Sequence, residues 1–420
     1  MEYGGKRKDI FEGSIKVNIL FYQHQYPAFG GIETVTTMLA NAFVADRNNI
    51  AIVSFISKEG TDLLERLDSR VVWHKLPEAE IDSAANIDAL RNILDSFNPD
   101  KIIFQDSYAN IQGVLFKALD LWKDAKNQCS AIEECPAPRI SLARRMKPLS
   151  PAEILKRIVL FALKPLLLAW RFRYESQRRS ILFDRADHYV ILSGNYRRSI
   201  KALVGHERTG KLRVIPNPIS VSAEVVDFAQ KKKQVLFVGS LIVAKGVDRL
   251  VRIWERIAPR HPDWEFVVVG DGVERSSLES LVDKAGIPRI RFEGFCRDPS
   301  PYYKEASLFV MASDFEGWPM VLGEAMHAGC VPVVYDSFAA ASDIIEDGVN
   351  GRVVRSFSRL QFVDALEELM YIDALRLEMA DAACRKISKY SLSAIKRDWY
   401  ALLSGMGAII VVEHNAPFYR

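Results

Sequence analysis

Glu316 and Glu324 bracket the stretch of this sequence richest in chemistry, Ser313-Asp314-Phe315-Glu316-Gly317-Trp318-Pro319-Met320-Val321-Leu322-Gly323-Glu324. It follows the apolar run Ser307–Met311, which reads as a strand, and Pro319 suits the first turn of a helix, where its missing N–H costs nothing. The amides of Met320, Val321 and Leu322 then have no partner within the helix and form an anion site backed by the helix dipole. Carboxylates accept hydrogen bonds from hydroxyls. Glu316 in the loop and Glu324 one turn further in would therefore flank a phosphate whose carrier bears hydroxyls. The plainer alternative is that Glu324 only favours a helix N-terminus and Glu316 is solvated.

Two more strand–loop–helix patterns carry glycine. In Val238-Gly239-Ser240-Leu241, followed by Lys245-Gly246, the first glycine admits a ligand to the strand end, and Lys245 supplies a point charge for phosphate. In Phe29-Gly30-Gly31-Ile32-Glu33, paired glycines expose bare backbone at a helix start. Each is weak alone, because a glycine after a strand is usually a turn.

The elements that must position these residues alternate along the whole chain, as in parallel sheets built from βαβ units. Strands are expected near 15–22, 50–56, 100–104, 187–192 and 212–215, then near 234–239, 265–270, 289–293, 307–311 and 331–334. Both halves read as doubly wound. The two prolines of Ile215-Pro216-Asn217-Pro218 force an extended path and mark a join. The domains expected are 1–217 and 218–390, each Rossmann-like, facing across a cleft at the carboxyl ends of their strands. A terminal part, 391–420, has a helix through Trp399-Tyr400 and a tail that could return to the first domain, with 405–420 left unplaced.

At 420 residues and about half hydrophobic, the chain can bury two cores. Cys129, Cys135, Cys296, Cys330 and Cys384 form no CxxC pair, so reduced thiols are expected and a zinc site is not. His24, His188 and His327 read as structural or solvated. Trp318 could stack on a sugar, or equally anchor its loop. The opening residues offer no apolar stretch closed by a small-residue cleavage site, so no signal peptide is expected. Charge is uneven: residues 141–179 hold ten Lys/Arg against Glu153 and Glu175, within a chain of net charge +3. That local basicity argues against nucleic acid as a partner and for one positive surface. The amphipathic run Ile154–Tyr174 suits a helix lying on an anionic membrane, a core helix with basic edges being the alternative. Its uncharged runs are too short to span a bilayer. Pro165 should kink it.

Taken together, Gly30-Gly31-Ile32-Glu33, Ile215-Pro216-Asn217-Pro218, Val238-Gly239-Ser240-Leu241 with Lys245-Gly246, Val269-Gly270-Asp271-Gly272, Gly294-Phe295 and Glu316-x7-Glu324 resemble the retaining glycosyltransferases of family four. The order is the family's, and the motifs span roughly residues 17 to 355. The resemblance implies a GT-B fold, a nucleotide-sugar donor and no metal or other cofactor. It implies that Glu324 binds ribose, Glu316 contacts the donor sugar, and Gly317 and the amides of Met320, Val321 and Leu322 hold phosphate. Phe295, Gly270 and Asp271 would lie near the base, and Gly30, Gly31, Gly239, Ser240 and Lys245 near the diphosphate.

The sequence departs from the family pattern twice. Ser240 stands where an arginine is common, leaving the diphosphate charge to Lys245 or to Arg249. A histidine usual in the first domain is replaced by acids, which makes Asp106, Glu133 and Glu134 the acceptor-side candidates. The activity implied is transfer of a hexose from a UDP- or GDP-sugar, with retention, to a glycan or lipid-linked acceptor of a surface polysaccharide or lipopolysaccharide, in the cytoplasm or peripherally at its membrane. Glu316 and Lys245 would act in catalysis. The alternatives are a nucleotide-sugar 2-epimerase of the same fold and a non-catalytic binding module.

Overall fold

The computed structural model describes residues 16–105, 109–122, 151–205, 210–219, 226–404 and 409–413. The strands are β1 (Asn18–Gln25), β2 (Asn49–Ile56), β3 (Val72–Lys75), β4 (Lys101–Phe104), β5 (His188–Ile191), β6 (Leu212–Val214), β7 (Lys232–Val238), β8 (Glu265–Val269), β9 (Ile290–Gly294), β10 (Ala306–Met311), β11 (Val331–Tyr335), β12 (Arg352–Val354) and β13 (Ile409–Glu413). By internal contacts the chain divides into Met1–Gln128 with Met406–Val411, and Cys129–Gly405 with Val412–Arg420.

In the first unit β1 lies between β2 and β4, β3 pairs with β2, and β13 adds beside β4, all parallel. The apolar core of β1, Ile19-Leu20-Phe21-Tyr22, is fully buried, as a strand covered on both faces requires. Helix Ala84–Phe97 starts where Ser83 Oγ accepts from the Asn86 amide and stops at Asn98 in the left-handed region.

The second unit holds the parallel pair β5–β6 and a six-stranded parallel sheet ordered β12-β11-β10-β7-β8-β9. Strands β10 and β11 are buried along their whole length. Helix Val247–Ile257 buries Val247, Leu250, Val251, Trp254 and Ile257, a spacing of three and four that keeps one face on the sheet. Trp254 tilts against Phe266 of β8 with ring centroids 5.9 Å apart, and Trp264, Phe266 and Val268 complete this core. Each such side chain contributes roughly 2–3 kcal/mol by burial.

All ten expected strands are present, together with three that the sequence pattern did not show. β3 and β12 are short, partly exposed pieces beside β2 and β11, and β13 falls in the tail left unplaced. The expected terminal helix is Leu392–Leu403. Helix Pro151–Arg185 runs 35 residues and contains Pro165 within it. Among the described residues no helix is long and apolar enough to cross a membrane. Cys296, Cys330 and Cys384 are thiols; Cys129 and Cys135 lie outside the described residues.

Candidate functional site

In the six-stranded sheet, the chain runs outward from β7 through β8 to β9, then returns to the other side of β7 as β10. Between β7 and β10 the strand order reverses, and the loops at the carboxyl ends of these two strands occupy the usual ligand position in open α/β sheets. Lys245 sits in the loop after β7 and Glu316 in the loop after β10. Lys245 Nζ lies 2.6 Å from Glu316 Oε1. Ser313 Oγ donates to that same oxygen at 2.7 Å.

The two loops are tied together from below. The Asp314 amide donates to the Ala244 carbonyl at 2.7 Å, and the Arg249 guanidinium pairs with the Asp314 carboxylate and the Ala312 carbonyl. Arg249, a candidate for the diphosphate, is thus occupied in holding the β10 loop. Gly246 makes this approach possible. Its φ of +63° is left-handed, and a Cβ there would lie 2.3 Å from the Ala312 oxygen. The Lys245 and Glu316 side chains are 28% and 11% exposed, so the pair itself contributes only about 1 kcal/mol or less. A phosphate, with more negative charge than one carboxylate, can draw the ammonium away at small cost.

Pro319 is the residue just before the helix, with an extended ψ of 108°, and the helix itself is Met320–His327. The amides of Met320 and Val321 have no hydrogen-bond partner among the described residues. That of Leu322 does: it donates to the Pro319 carbonyl at 3.2 Å. The cradle expected from three amides therefore contains two, because Pro319 precedes the helix and its carbonyl closes the first turn. Trp318 is buried, edge-on to Tyr390 at 4.9 Å between ring centroids, and so anchors the loop.

Glu324 projects from the second turn, where Tyr303 Oη donates to its Oε2 at 3.0 Å. Burial, and then the neighbouring Glu324, push the Tyr303 hydroxyl well above its usual range, so it stays a donor. The other expected donor-side residues line the ends of β7, β8 and β9. The Gly239 amide donates to Val269 at 3.0 Å and the Gly270 amide to Gly294 at 2.7 Å, which stacks the three turns side by side. Asp271 caps the Gly272 amide at 2.7 Å and meets Arg275 at 3.2 Å. Ser240 is exposed. Phe295 is 56% exposed, a large apolar ring that folding leaves accessible.

Gly30 and Gly31 lie in the first unit, at the start of helix Gly31–Ala45. The Glu33 carboxylate folds over Gly30, its Oε2 2.3 Å from where a Cβ would stand. Burial holds the Glu33 carboxyl above its usual range. Asp106, Glu133 and Glu134 lie outside the described residues. Ser313, Tyr303 and Tyr196, which all touch expected site residues, were not anticipated. Only Ser313, inside the motif itself, left a local signal.

The fold and site together define a protein with two Rossmann-like parallel sheets, the GT-B fold. The chain superposes on HepE from Anabaena in complex with UDP and glucose with a TM-score of 0.68, at 17% identity, covering 93% of this chain and 100% of that one. Residues 221–386 match the family model described as Glycosyl transferases group 1. A glycosyltransferase of Haemophilus influenzae is 28% identical over 197 residues, 47% of this chain and 56% of its own length. The amylovoran biosynthesis glycosyltransferase AmsD of Erwinia amylovora is 30% identical over 178 residues, 42% of this chain and 50% of its own length. The chain thus spans about half the length of the curated relatives it matches.

Proposed function

We propose that this protein is a retaining glycosyltransferase that moves a hexose from a UDP- or GDP-sugar to a glycan or lipid-linked acceptor of a bacterial surface polysaccharide or lipopolysaccharide, without a metal. The observation that carries the reading is Lys245 beside Glu316 and the two unpaired amides of Met320 and Val321, in the segments that follow β7 and β10. A fixed cation and unpaired backbone amides, placed where the diphosphate would leave, would stabilise the charge that grows on it. This is the role a divalent ion would otherwise fill.

In this reading Glu324 takes the ribose hydroxyls, Glu316 the hexose hydroxyls, and Phe295 with the Gly270-Asp271 turn lies at the base. Gly30, Gly31, Gly239 and Ser240 are assigned to the donor, and Asp106, Glu133 and Glu134 to the acceptor. The bond from the anomeric carbon to the diphosphate oxygen breaks, its electron pair passing to that oxygen. The acceptor hydroxyl oxygen bonds to the same face of the sugar, and its proton passes to the departing diphosphate. Incubation of the purified protein with UDP- and GDP-hexoses and a lipid-linked glycan, in EDTA, should give acceptor-dependent release of nucleoside diphosphate and a product of unchanged anomeric configuration. An epimerised sugar nucleotide formed without acceptor would instead indicate a 2-epimerase, and binding without turnover a non-catalytic module.

The acceptor side of this proposal includes a membrane surface. In helix Pro151–Arg185, Leu166 is 68% exposed and Trp170 and Phe172 each 39%, with Arg173 exposed beside them. The later turns pack inward through Leu182, Phe183 and the Arg179–Glu175 pair. An apolar, basic stretch of helix matches an anionic headgroup layer. The protein should sediment with phosphatidylglycerol vesicles at low salt, and Trp170→Ala with Phe172→Ala should reduce the bound fraction severalfold. Equal recovery in the supernatant with and without vesicles would refute the membrane role.

A further inference from the structure

The three-residue turn Gly194–Tyr196, just after β5, reaches into the phosphate loop. Tyr196 is 5% exposed, and its hydroxyl lies 2.8 Å from both the Glu316 and the Gly317 carbonyl oxygens. Asn195 Nδ2 donates to the Asp343 carboxylate at 2.9 Å and to the Ala339 carbonyl at 3.1 Å, and Ser193 donates to Asp343. One short turn thereby fixes the loops that follow β10 and β11.

The identity of the two carbonyls matters. In an α-helix each amide donates to the carbonyl four residues earlier. A helix continued backward from Met320 would give the Met320 amide to the Glu316 carbonyl and the Val321 amide to the Gly317 carbonyl. These are the two carbonyls that Tyr196 takes. We propose that Tyr196 is a positioning residue: its hydroxyl, sharing its one proton between the Glu316 and Gly317 carbonyls, stands in for the missing helical turn so that the Met320 and Val321 amides stay open to the distal phosphate of a nucleoside diphosphate. The extended backbone at Pro319 starts this arrangement, and the tyrosine holds it. Without the hydroxyl, both carbonyls are left to find other donors, and the nearest that fit by count are those same amides. The inference rests on the donor-binding reading above, and concerns which residue keeps that site open.

The test compares Tyr196→Phe with the wild-type protein by titration with UDP and UMP, and in parallel with GDP and GMP. A monophosphate lacks the phosphate that the two amides would hold. The expected result is that diphosphate affinity falls about tenfold in Tyr196→Phe, the value of one hydrogen bond to a charged group, while monophosphate affinity changes less than about twofold. Asn195→Ala, which removes a contact to the neighbouring loop but none to Glu316 or Gly317, should leave the ratio of diphosphate to monophosphate affinity unchanged. A general loosening of the fold would weaken both ligands alike in either variant. Amide exchange in the wild-type protein tests the same point without a substitution: the Met320 and Val321 amides should exchange fast when free and slow on UDP or GDP. Protection of those amides in the ligand-free protein, or an unaltered affinity ratio in Tyr196→Phe, would overturn the inference. If no nucleoside diphosphate binds the wild-type protein at all, it is the donor-binding reading that fails.

Discussion

Lys245→Ala should lower kcat/KM with the accepted nucleotide sugar by about 10²–10³, the usual cost of removing one preorganised group that faces developing negative charge. The side chain is placed for this and for little else. It is partly exposed, it makes one ion pair, and Glu316 keeps the Ser313 hydroxyl when the lysine goes. The melting temperature of Lys245→Ala should therefore stay within a few degrees of wild type, since a partly exposed pair contributes about 1 kcal/mol or less. Lys245→Arg keeps the charge but not the compact ammonium, and should recover most of the lost rate. Steady-state kinetics beside thermal unfolding separates the cases. A large loss of stability matching the loss of activity would mean that the pair is structural.

Gly270→Ala should show the opposite division, with stability lost first. Gly270 ends β8 with φ +138°, a conformation that side chains rarely adopt, and a Cβ there would lie 1.9 Å from the Gly239 carbonyl oxygen. That neighbour is backbone, held by the hydrogen bond from the Gly239 amide to Val269, so it cannot swing aside. Strain plus steric displacement should cost on the order of 3 kcal/mol or more, a fall of about 10 °C in melting temperature for a unit of this size. Gly286, also left-handed but with open space where its Cβ would go, is the control: Gly286→Ala should cost no more than about 1 kcal/mol. Equal effects at the two positions would show that the turns after β7 and β8 are not packed as described.

What could be read from the sequence follows from how parallel sheets are built. Central strands such as Ser-Leu-Phe-Val-Met in β10 are buried on both faces and appear as short apolar runs between turns. β3 and β12 are short and only partly covered, with charges among their few residues, so no run stands out. β13 carries the apolar run Ile409–Val412, but nothing local says that it pairs beside β4, more than three hundred residues earlier. The same limit governs the site. Lys245 and Glu316 were legible because each follows a strand, and the usual ligand position in open α/β sheets brings such loops together. Their direct ion pair, which makes Glu316 a partner of the cation before any ligand binds, was not. The Leu322 amide is engaged rather than open because a proline at the start of a helix can occupy the capping position as well as the first turn, and only geometry distinguishes them. Tyr196 and Tyr303 act across 120 and 21 residues of chain, through a hydroxyl whose partner no spacing rule predicts.

Thermal unfolding with a panel of UDP- and GDP-hexoses, applied to the wild-type protein, Lys245→Ala and Glu324→Gln, bears most directly on the proposal that this site holds a nucleotide sugar. At about a hundred times its dissociation constant a bound ligand adds about 2.7 kcal/mol, so at least one sugar nucleotide should raise the wild-type melting temperature by several degrees, and the shift should shrink in both variants. No shift with any member of the panel, or the same shift in all three proteins, would contradict it.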